Sequence, residues 1–361
     1  MKRLLIIPFA LFLTAVWAPA IQMHFKIYDE FEDSDKRILA SPPEWRGADI
    51  SKFAGECEAY IDDHFGFRTD LIRWNILMRV HLFGVAPVQS VIVGKDTWLF
   101  YRSEALNDGE SINDFMGLIP LSDAALERLR VKLEENNRKF AEKGINYIVA
   151  IAPNKNTIYS EYLPERIRKN RSRTRLEQFC DYMDQHSTLT VLDLSKPLTK
   201  EKSKLPLYWA TDSHWNSFGA YVGYREIMKR ISGYYPNTGV IELDGHLGVE
   251  RRANGGDLAR ILFIQDVWPE KNDTVFQVEL KRTSPQLNKL VFRHDSFGDG
   301  LYPYLEKHFK NITSAAPFAP FAPFRFDEIL RERPQIVLHL FAERYLTQAV
   351  QDDFFYKEPG Y

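Results

Sequence analysis

Four stretches of this chain are apolar without alternation: "INYIVAIAPNK" at 145–155, "LTVLDLS" at 189–195, "NKLVFRHDSFG" at 288–298 and "QIVLHLF" at 335–341. A strand with one wet face alternates apolar and polar residues. Continuous runs of strand length imply strands covered on both faces, which is the habit of parallel sheets. Helical patterns separate the runs. "LSDAALERLRVKLEENNRKFAEKG" opens on a Ser122-Asp123 cap, carries i, i+4 charge partners and stops at Gly144. Further helices are expected at 171–186, 217–232, 301–310 and 343–352. Such alternation predicts an α/β fold with a doubly wound, mostly parallel sheet, whose ligands gather at the C-terminal ends of the strands.

Ahead of that pattern, residues 51–84 carry Phe53, Tyr60, Leu71, Trp74, Leu77 and Met78 at helical intervals, which predicts two helices around the His64–Phe67 turn. "SVIVGKDTWLFY" then reads as a β-hairpin over 90–101. These N-terminal helices and the hairpin form a subregion, 51–120, of a domain expected over 51–361. The polar stretch 24–50, ending in "SPPEWRG", reads as a linker. At the N-terminus, Lys2 and Arg3 precede a run without charge from Leu4 to Met23, about 30 Å long as a helix. Residues 4–23 are expected to anchor the chain in the inner membrane; Ala18-Pro19-Ala20 also imitates a cleavage site, so a signal peptide fits the same segment. Either way the positive-inside rule puts the remainder outside the cytoplasm, at the periplasmic face of a bacterial cell.

With 47 basic and 49 acidic residues the net charge is −2, so the chain lacks the basic field that nucleic-acid binding needs. Cys57 and Cys180 could be joined by one disulfide or stand as two separate thiols.

The chemistry centres on "YWATDSHWNSFGA", 208–220. Asp212 and His214, two apart, cannot share a helix face, but in a loop the aspartate can fold back onto the imidazole Nδ1, fix its tautomer and free Nε2 as a base. Such a pair needs a nucleophile. Ser296, in "VFRHDSFGDG", stands where an apolar strand stops before a Gly-containing turn, the placement a serine nucleophile requires. Asp-x-His also suits a metal, with His294 and Asp295 as further ligands, although no HxH, CxxC or HExxH spacing occurs. The favoured reading is a Ser-His-Asp set without metal.

Around it, Trp215, Trp209 and Tyr208 are either sugar platforms or loop anchors, with the anchor reading preferred for Trp215. Tyr302, six residues after Ser296, can aim its hydroxyl at the site or pack on the body. Lys155, after the first apolar strand, belongs to the same edge and is either a site residue or solvated. "NGGDLAR", 254–260, is read as a structural turn, since it lacks the third spaced glycine and preceding strand of a dinucleotide loop. The triple Ala-Pro-Phe at 315–324 suits a connector packing its phenylalanines onto the body, the alternative being a polyproline rod.

Taken together, "VIVGKDTWLFY", "APNKNTIYSEYLP", "TDSHWNSFGA", "NGGDLAR" and "RHDSFGDGLYPYLEKHF" resemble, in this order and over about residues 60–345, the SGNH-hydrolase-like family of alginate O-acetylation proteins. The resemblance implies an SGNH-like fold with the triad in the circularly permuted order Asp212, His214, Ser296, and a site tyrosine at Tyr302. It implies acetyl transfer to a polysaccharide acceptor, with a multi-pass membrane acyltransferase as acetyl donor and no cofactor. Removal of esters by the same triad, or a non-catalytic scaffold, are the alternatives. The chain departs from the family pattern where "GDS" becomes His294-Asp295-Ser296, and with so few residues after 345 no C-terminal carbohydrate-binding module is expected, which would suit a single-domain, membrane-anchored branch.

Overall fold

A computed structural model describes residues 2–28, 38–45, 47, 49–102, 110–169, 173–243, 247–250, 252, 254–268, 275–278, 280, 285–315 and 321–350. They fall into two compact units, Met1–Pro87 with Leu262–Ile264, and Val88–Ile261 with Gln265–Tyr361. The helical pair expected at 51–84 therefore groups with the N-terminal helix.

In the first unit, α1 (Lys2–Phe25) leaves Phe9, Phe12 and Trp17 exposed. Among the described residues it is the one helix long and apolar enough to cross a membrane. Helix α2 (Ile50–His64) starts where the Asp49 side chain accepts from the Lys52 N–H at 3.0 Å, one of the first-turn donors that a cap satisfies. Helix α3 (Arg68–Phe83) follows.

The second unit opens with the expected hairpin, β1 (Val91–Val93) against β2 (Leu99–Tyr101), and continues through α4 (Glu110–Phe115) and α5 (Asp123–Ala141). Next come β3 (Asn146–Ala152), α6 (Lys155–Ile158), α7 (Arg175–His186), β4 (Val191–Asp193), α8 (Ser195–Glu201) and α9 (Ser217–Tyr234). After them lie β5 (Leu247–Glu250), α10 (Asp257–Ile261), β6 (Val275–Val278) and β7 (Leu287–Arg293). The remainder is α11 (Tyr302–Leu305), β8 (Phe309–Ala315), α12 (Phe326–Arg331) and β9 (Ile336–Ala342), with 3-10 turns at Ser296–Gly300 and Glu343–Val350.

Five strands form one sheet in the order β4-β3-β9-β7-β8, parallel throughout. The four apolar runs supply β3, β4, β7 and β9. The central β3 and β9 are buried on both faces, as their lack of alternation requires, and β7 is buried over its C-terminal half, while β4 at the edge is half-buried. Ile148, Ala150, Phe292, Leu338 and Leu340 pack with Tyr224, Ile227 and Ile231 of α9. The intervening Val149, Ile151, Val291, Val337 and Phe341 pack with Leu129, Leu133 and Phe140 of α5 and Phe179 of α7. Ser122 caps α5, Thr174 closes a capping box on α7, and Gly144 takes the left-handed conformation (φ +70°) that turns the chain from α5 into β3.

The helix expected over 301–310 is corrected: α11 has one turn, and the chain then enters β8, which adds to the edge of the sheet beside β7. Asn311-Ile312-Thr313 favours an edge strand, and the pairing to β7 decides the outcome. The helix expected at 343–352 is a 3-10 segment as far as Val350, and residues 351–352 lie outside the described residues. Both cysteines are free; Cys180 lies on the buried face of α7, where burial pushes its thiol pKa up.

In the Ala-Pro-Phe repeat, residues 316–320 lie outside the described residues, and Phe321 and Phe324 are buried. The Phe324 ring meets Phe140 edge-on at 5.3 Å, and the buried Arg293 guanidinium lies 4.3 Å from its centroid. These phenylalanines close one face of the sheet. Phe324→Ala should therefore lower unfolding stability by about 3 kcal/mol in a denaturant titration, the usual result of emptying a buried aromatic site.

Candidate active site

The segment 208–216 is a tight excursion before α9. Tyr208 and Trp215 form an isolated antiparallel bridge, and the Asn216 N–H donates to the Leu207 carbonyl at 2.9 Å. This closure folds Asp212 back on His214. Asp212 Oδ1 lies 2.8 Å from His214 Nδ1 and also accepts the His214 backbone N–H at 3.0 Å. The Asn216 side chain caps α9 by accepting from the Gly219 N–H, so the helix start holds the histidine's end of the loop.

Ser296 comes from the other half of the unit, at the C-terminal edge of the sheet. The ladder between β7 and β9 ends at Arg293 and His339, while β9 runs on to Ala342. Asp295 uses that overhang. Its Oδ2 accepts the Ala342 N–H at 2.6 Å and its Oδ1 accepts the Phe297 N–H at 2.9 Å, tying the 3-10 turn to β9. The Gly298 N–H goes to the Asp295 carbonyl, whereas the Ser296 N–H has no hydrogen-bond acceptor among the described residues. Ser296 Oγ then stands 2.7 Å from His214 Nε2. The three residues singled out in the sequence thus form one continuous chain of hydrogen bonds.

Beside them lies a cavity of about 580 Å³, walled by Trp209, Trp215, Asn216, Arg252, Tyr304 and Lys307 among others. Trp215 is buried, and its Nε1–H donates to the Phe297 carbonyl at 3.1 Å. It is an anchor that also walls the cavity. Trp209 is buried with the Arg252 guanidinium 4.0 Å from its ring centroid. Two expected site residues lie elsewhere. Tyr302 packs against the apolar core, and the tyrosine on the cavity wall is Tyr304, its hydroxyl donating to the Ser217 carbonyl at 2.8 Å. One turn of α11 points residues two apart in different directions. Lys155 is buried at 3% exposure and donates to the carbonyls of Trp209, Ala210 and Asp212. It is neither solvated nor on the cavity wall.

The sequence reading missed Arg252 and Asp257. Arg252 Nη1 is 2.6 Å from Asp212 Oδ2. Asp257 accepts the Ser213 N–H at 2.7 Å, and its Oδ2 lies 3.4 Å from His214 Nδ1. "NGGDLAR" is therefore a site element. Gly256 packs so closely that a Cβ there would meet Asp212 Cβ at 2.4 Å, so glycine lets this turn dock. The only sequence signal was a Gly-Gly turn flanked by an arginine and an aspartate. Although burial works against its ionisation, the His214 hydrogen bond and Arg252 hold the Asp212 carboxyl well below the usual carboxylate range. Burial, and then the Asp212 charge, push Asp257 up.

Asp212, His214 and Asp257 have ligand atoms close enough together to hold a metal ion. The donors are already matched: Asp212 binds His214 and Arg252, and Asp257 Oδ2 accepts the Ser213 hydroxyl at 2.5 Å. His294 and Asp295, the other ligands the metal reading needs, face away from that cluster. His294 Nε2 lies 2.6 Å from the Ser314 hydroxyl, and Asp295 serves backbone N–H groups. The substitution of histidine for the glycine of "GDS" ties the turn to β8.

A serine, histidine and aspartate bonded in series at the C-terminal edge of a parallel sheet are an arrangement that several α/β folds share. Residues 91–300 match the family described as "SGNH hydrolase-like domain, acetyltransferase AlgX", and the chain belongs to that family. It is 24% identical over 236 residues to a probable alginate O-acetylase AlgJ of Pseudomonas syringae pv. tomato, covering 65% of this chain and 56% of that protein. With the probable alginate O-acetylase AlgJ of Pseudomonas fluorescens it shares 24% identity over 71% of this chain and 68% of that one. Among solved structures, the O-acetyltransferase domain of Pseudomonas putida AlgJ is similar at a TM-score of 0.49 and 21% identity, covering 75% of this chain and 96% of that chain. Bacillus cereus PatB1 with a sulfonyl adduct is similar at 0.44 and 14%, covering 74% and 100%.

Behind the site, Glu343 follows β9 and is fully buried, accepting from the Asn154 N–H and the Thr157 hydroxyl. Burial, and then the charge of Asp114, push its pKa up to about 8; burial likewise pushes Asp114 up to about 6. A carboxyl raised above its unfolded value, about 4, favours the folded state fully below that value and less as pH climbs through the folded one. Melting temperature should thus fall between pH 5 and pH 8.5, and Glu343→Gln, which keeps an acceptor for both donors, should flatten that slope in a series of thermal melts.

Proposed function

We propose that this protein is an O-acetyltransferase that esterifies hydroxyl groups of an exopolysaccharide through an acetyl-Ser296 intermediate. The observation that carries the reading is the relay in which Asp212 holds His214 Nδ1 at 2.8 Å while Nε2 reaches Ser296 Oγ at 2.7 Å. Family membership and the names of the AlgJ relatives support acetyl transfer to alginate or a polymer like it. The chain spans 56% of the length of the first of those relatives, so substrate and partner are carried over as part of the proposal.

In the first step Ser296 Oγ attacks the donor's acetyl carbonyl and His214 Nε2 takes the hydroxyl proton. The Ser296 N–H, uncommitted among the described residues, donates to the oxyanion as it forms. The intermediate collapses to the acetyl ester as the leaving group departs with the proton from His214. In the second step a sugar hydroxyl attacks that ester, His214 takes the new proton, and the proton returns to Ser296 as the acetylated sugar leaves. Asp212 orients the imidazole and offsets the positive charge that it carries in both transition states. The cavity walled by Trp209, Trp215 and Tyr304 receives the acceptor, since aromatic faces pack on sugar rings while Asn216, Asp299 and Lys307 offer hydrogen bonds.

The relay needs no resident cofactor. Acetyl groups come from a multi-pass membrane acyltransferase, since the acetylated polymer lies outside the cytoplasm. Helix α1 anchors the chain in the inner membrane with the catalytic unit on the periplasmic face, a placement that its uncharged run supports.

The test is direct. Full-chain protein treated with an activated acetyl ester should carry an acetyl adduct on Ser296 by mass spectrometry, and added oligosaccharide should remove it as acetylated sugar. Release of acetate with no acetylated sugar would make the protein an esterase. In cells, Ser296→Ala should abolish polymer acetylation at unchanged protein abundance, and persistence of acetylation would leave only a scaffold role.

A further inference from the structure

Lys155 is a buried cation that the mechanism leaves unused. Lys155, the first residue of α6, follows the C-terminal end of β3, and its ammonium is 3.1, 3.0 and 2.6 Å from the carbonyls of Trp209, Ala210 and Asp212. An ammonium has three donors, and three acceptors from one loop converge on it. Trp98 and Phe100 complete the enclosure, with Nζ 5.4 and 5.2 Å from their ring centroids, close enough for the ring faces to favour the charge. A second tie joins the same two segments, since the Tyr208 hydroxyl donates to the Pro153 carbonyl at 2.6 Å. Thr211, between the bonded residues, turns its carbonyl the other way, toward the Ala259 N–H, and its hydroxyl accepts the Gly256 N–H at 2.7 Å.

We propose that Lys155 is a positioning residue for acetyl transfer: its ammonium gathers the carbonyls of Trp209, Ala210 and Asp212 and so sets the aim of the Asp212 carboxylate at His214 Nδ1. This rests on the acyl-transfer reading above. The geometry demands such a group, because three carbonyls of one loop drawn toward one buried point repel one another and need a donor there. With the cation present, the carbonyl of Asp212 is pinned while its side chain accepts from both the backbone N–H and the Nδ1 of His214. The lysine touches neither the nucleophile nor the cavity. It acts through Asp212 alone.

Lys155→Met keeps the stem and removes the charge. In the full-chain protein this variant should lower kcat for acetyl-ester turnover by about a hundredfold, the usual consequence of misaligning a catalytic group, with KM changed by less than about threefold. The proton NMR signal of the Asp212-held Nδ1–H of His214 should move upfield or broaden away. It should remain in place in Ser296→Ala. That signal reads the aspartate–histidine bond whether or not acetyl is transferred, so a failure here is distinct from a failure of the transferase reading. A Met variant that keeps both its kcat within threefold and the Nδ1–H signal would overturn the proposal. If it does not fold, Lys155→Ala can be prepared with propylammonium, which replaces stem and charge, and then dialysed. Loss of turnover with the fold intact, restored by propylammonium but not by tetramethylammonium, supports positioning. Retained turnover, or unfolding on removal of the amine, refutes it.

Discussion

The β7–β9 overhang is the constraint from which the site is built. β7 stops at Arg293 while β9 continues to Ala342, and the Asp295 carboxylate takes the N–H that β7 leaves without a ladder partner. A buried backbone donor must find an acceptor. By supplying one from the residue before Ser296, the chain fixes the turn that carries the hydroxyl to the end of a sheet buried on both faces. Ser296 is thereby fixed through its neighbour Asp295, whose carboxylate is bonded to the last residue of a core strand.

The second half of the site is built against the first by a different device. A loop closed by the Tyr208–Trp215 bridge has to present a carboxylate and an imidazole to each other; three groups hold it from outside and its own Trp215 reaches out of it. Lys155 bonds the loop's carbonyls, Arg252 and Asp257 flank the dyad, and Trp215 reaches the carbonyl of Phe297 next to Ser296. The Trp215 bond ties the base's loop directly to the serine's turn. Charge is balanced locally, since Asp212 and Asp257 face His214 and Arg252, and a proton can move to the imidazole without leaving an isolated charge in a partly dry site.

The four β runs, the capped α5 and α7 and the hairpin were legible because each obeys a local rule of period, cap or turn. Asp212, His214 and Ser296 were legible for a related reason: a dyad spacing and a strand-end serine are short patterns whose chemistry is specific. Residues 301–310 were misread because a one-turn helix and an edge strand offer similar mixed polarity, and only pairing to β7 separates them. Tyr302 was singled out although Tyr304 lines the cavity, because spacing cannot say which of two tyrosines on a single turn faces it.

Sequence by itself determined the α/β class, the four apolar strands of the main sheet and the choice of the three relay residues, since apolar continuity and the chemistry of each side chain are written in residue type. Tertiary structure alone decided the roles of Lys155, Arg252 and Asp257. Each meets Asp212, Ser213 or His214 across 40 or more positions of chain. A lysine looks solvated and a Gly-Gly-Asp turn looks structural until the fold brings carbonyls to the one and an aspartate to the other, because an electrostatic partner is defined by distance in space and leaves no mark in local sequence.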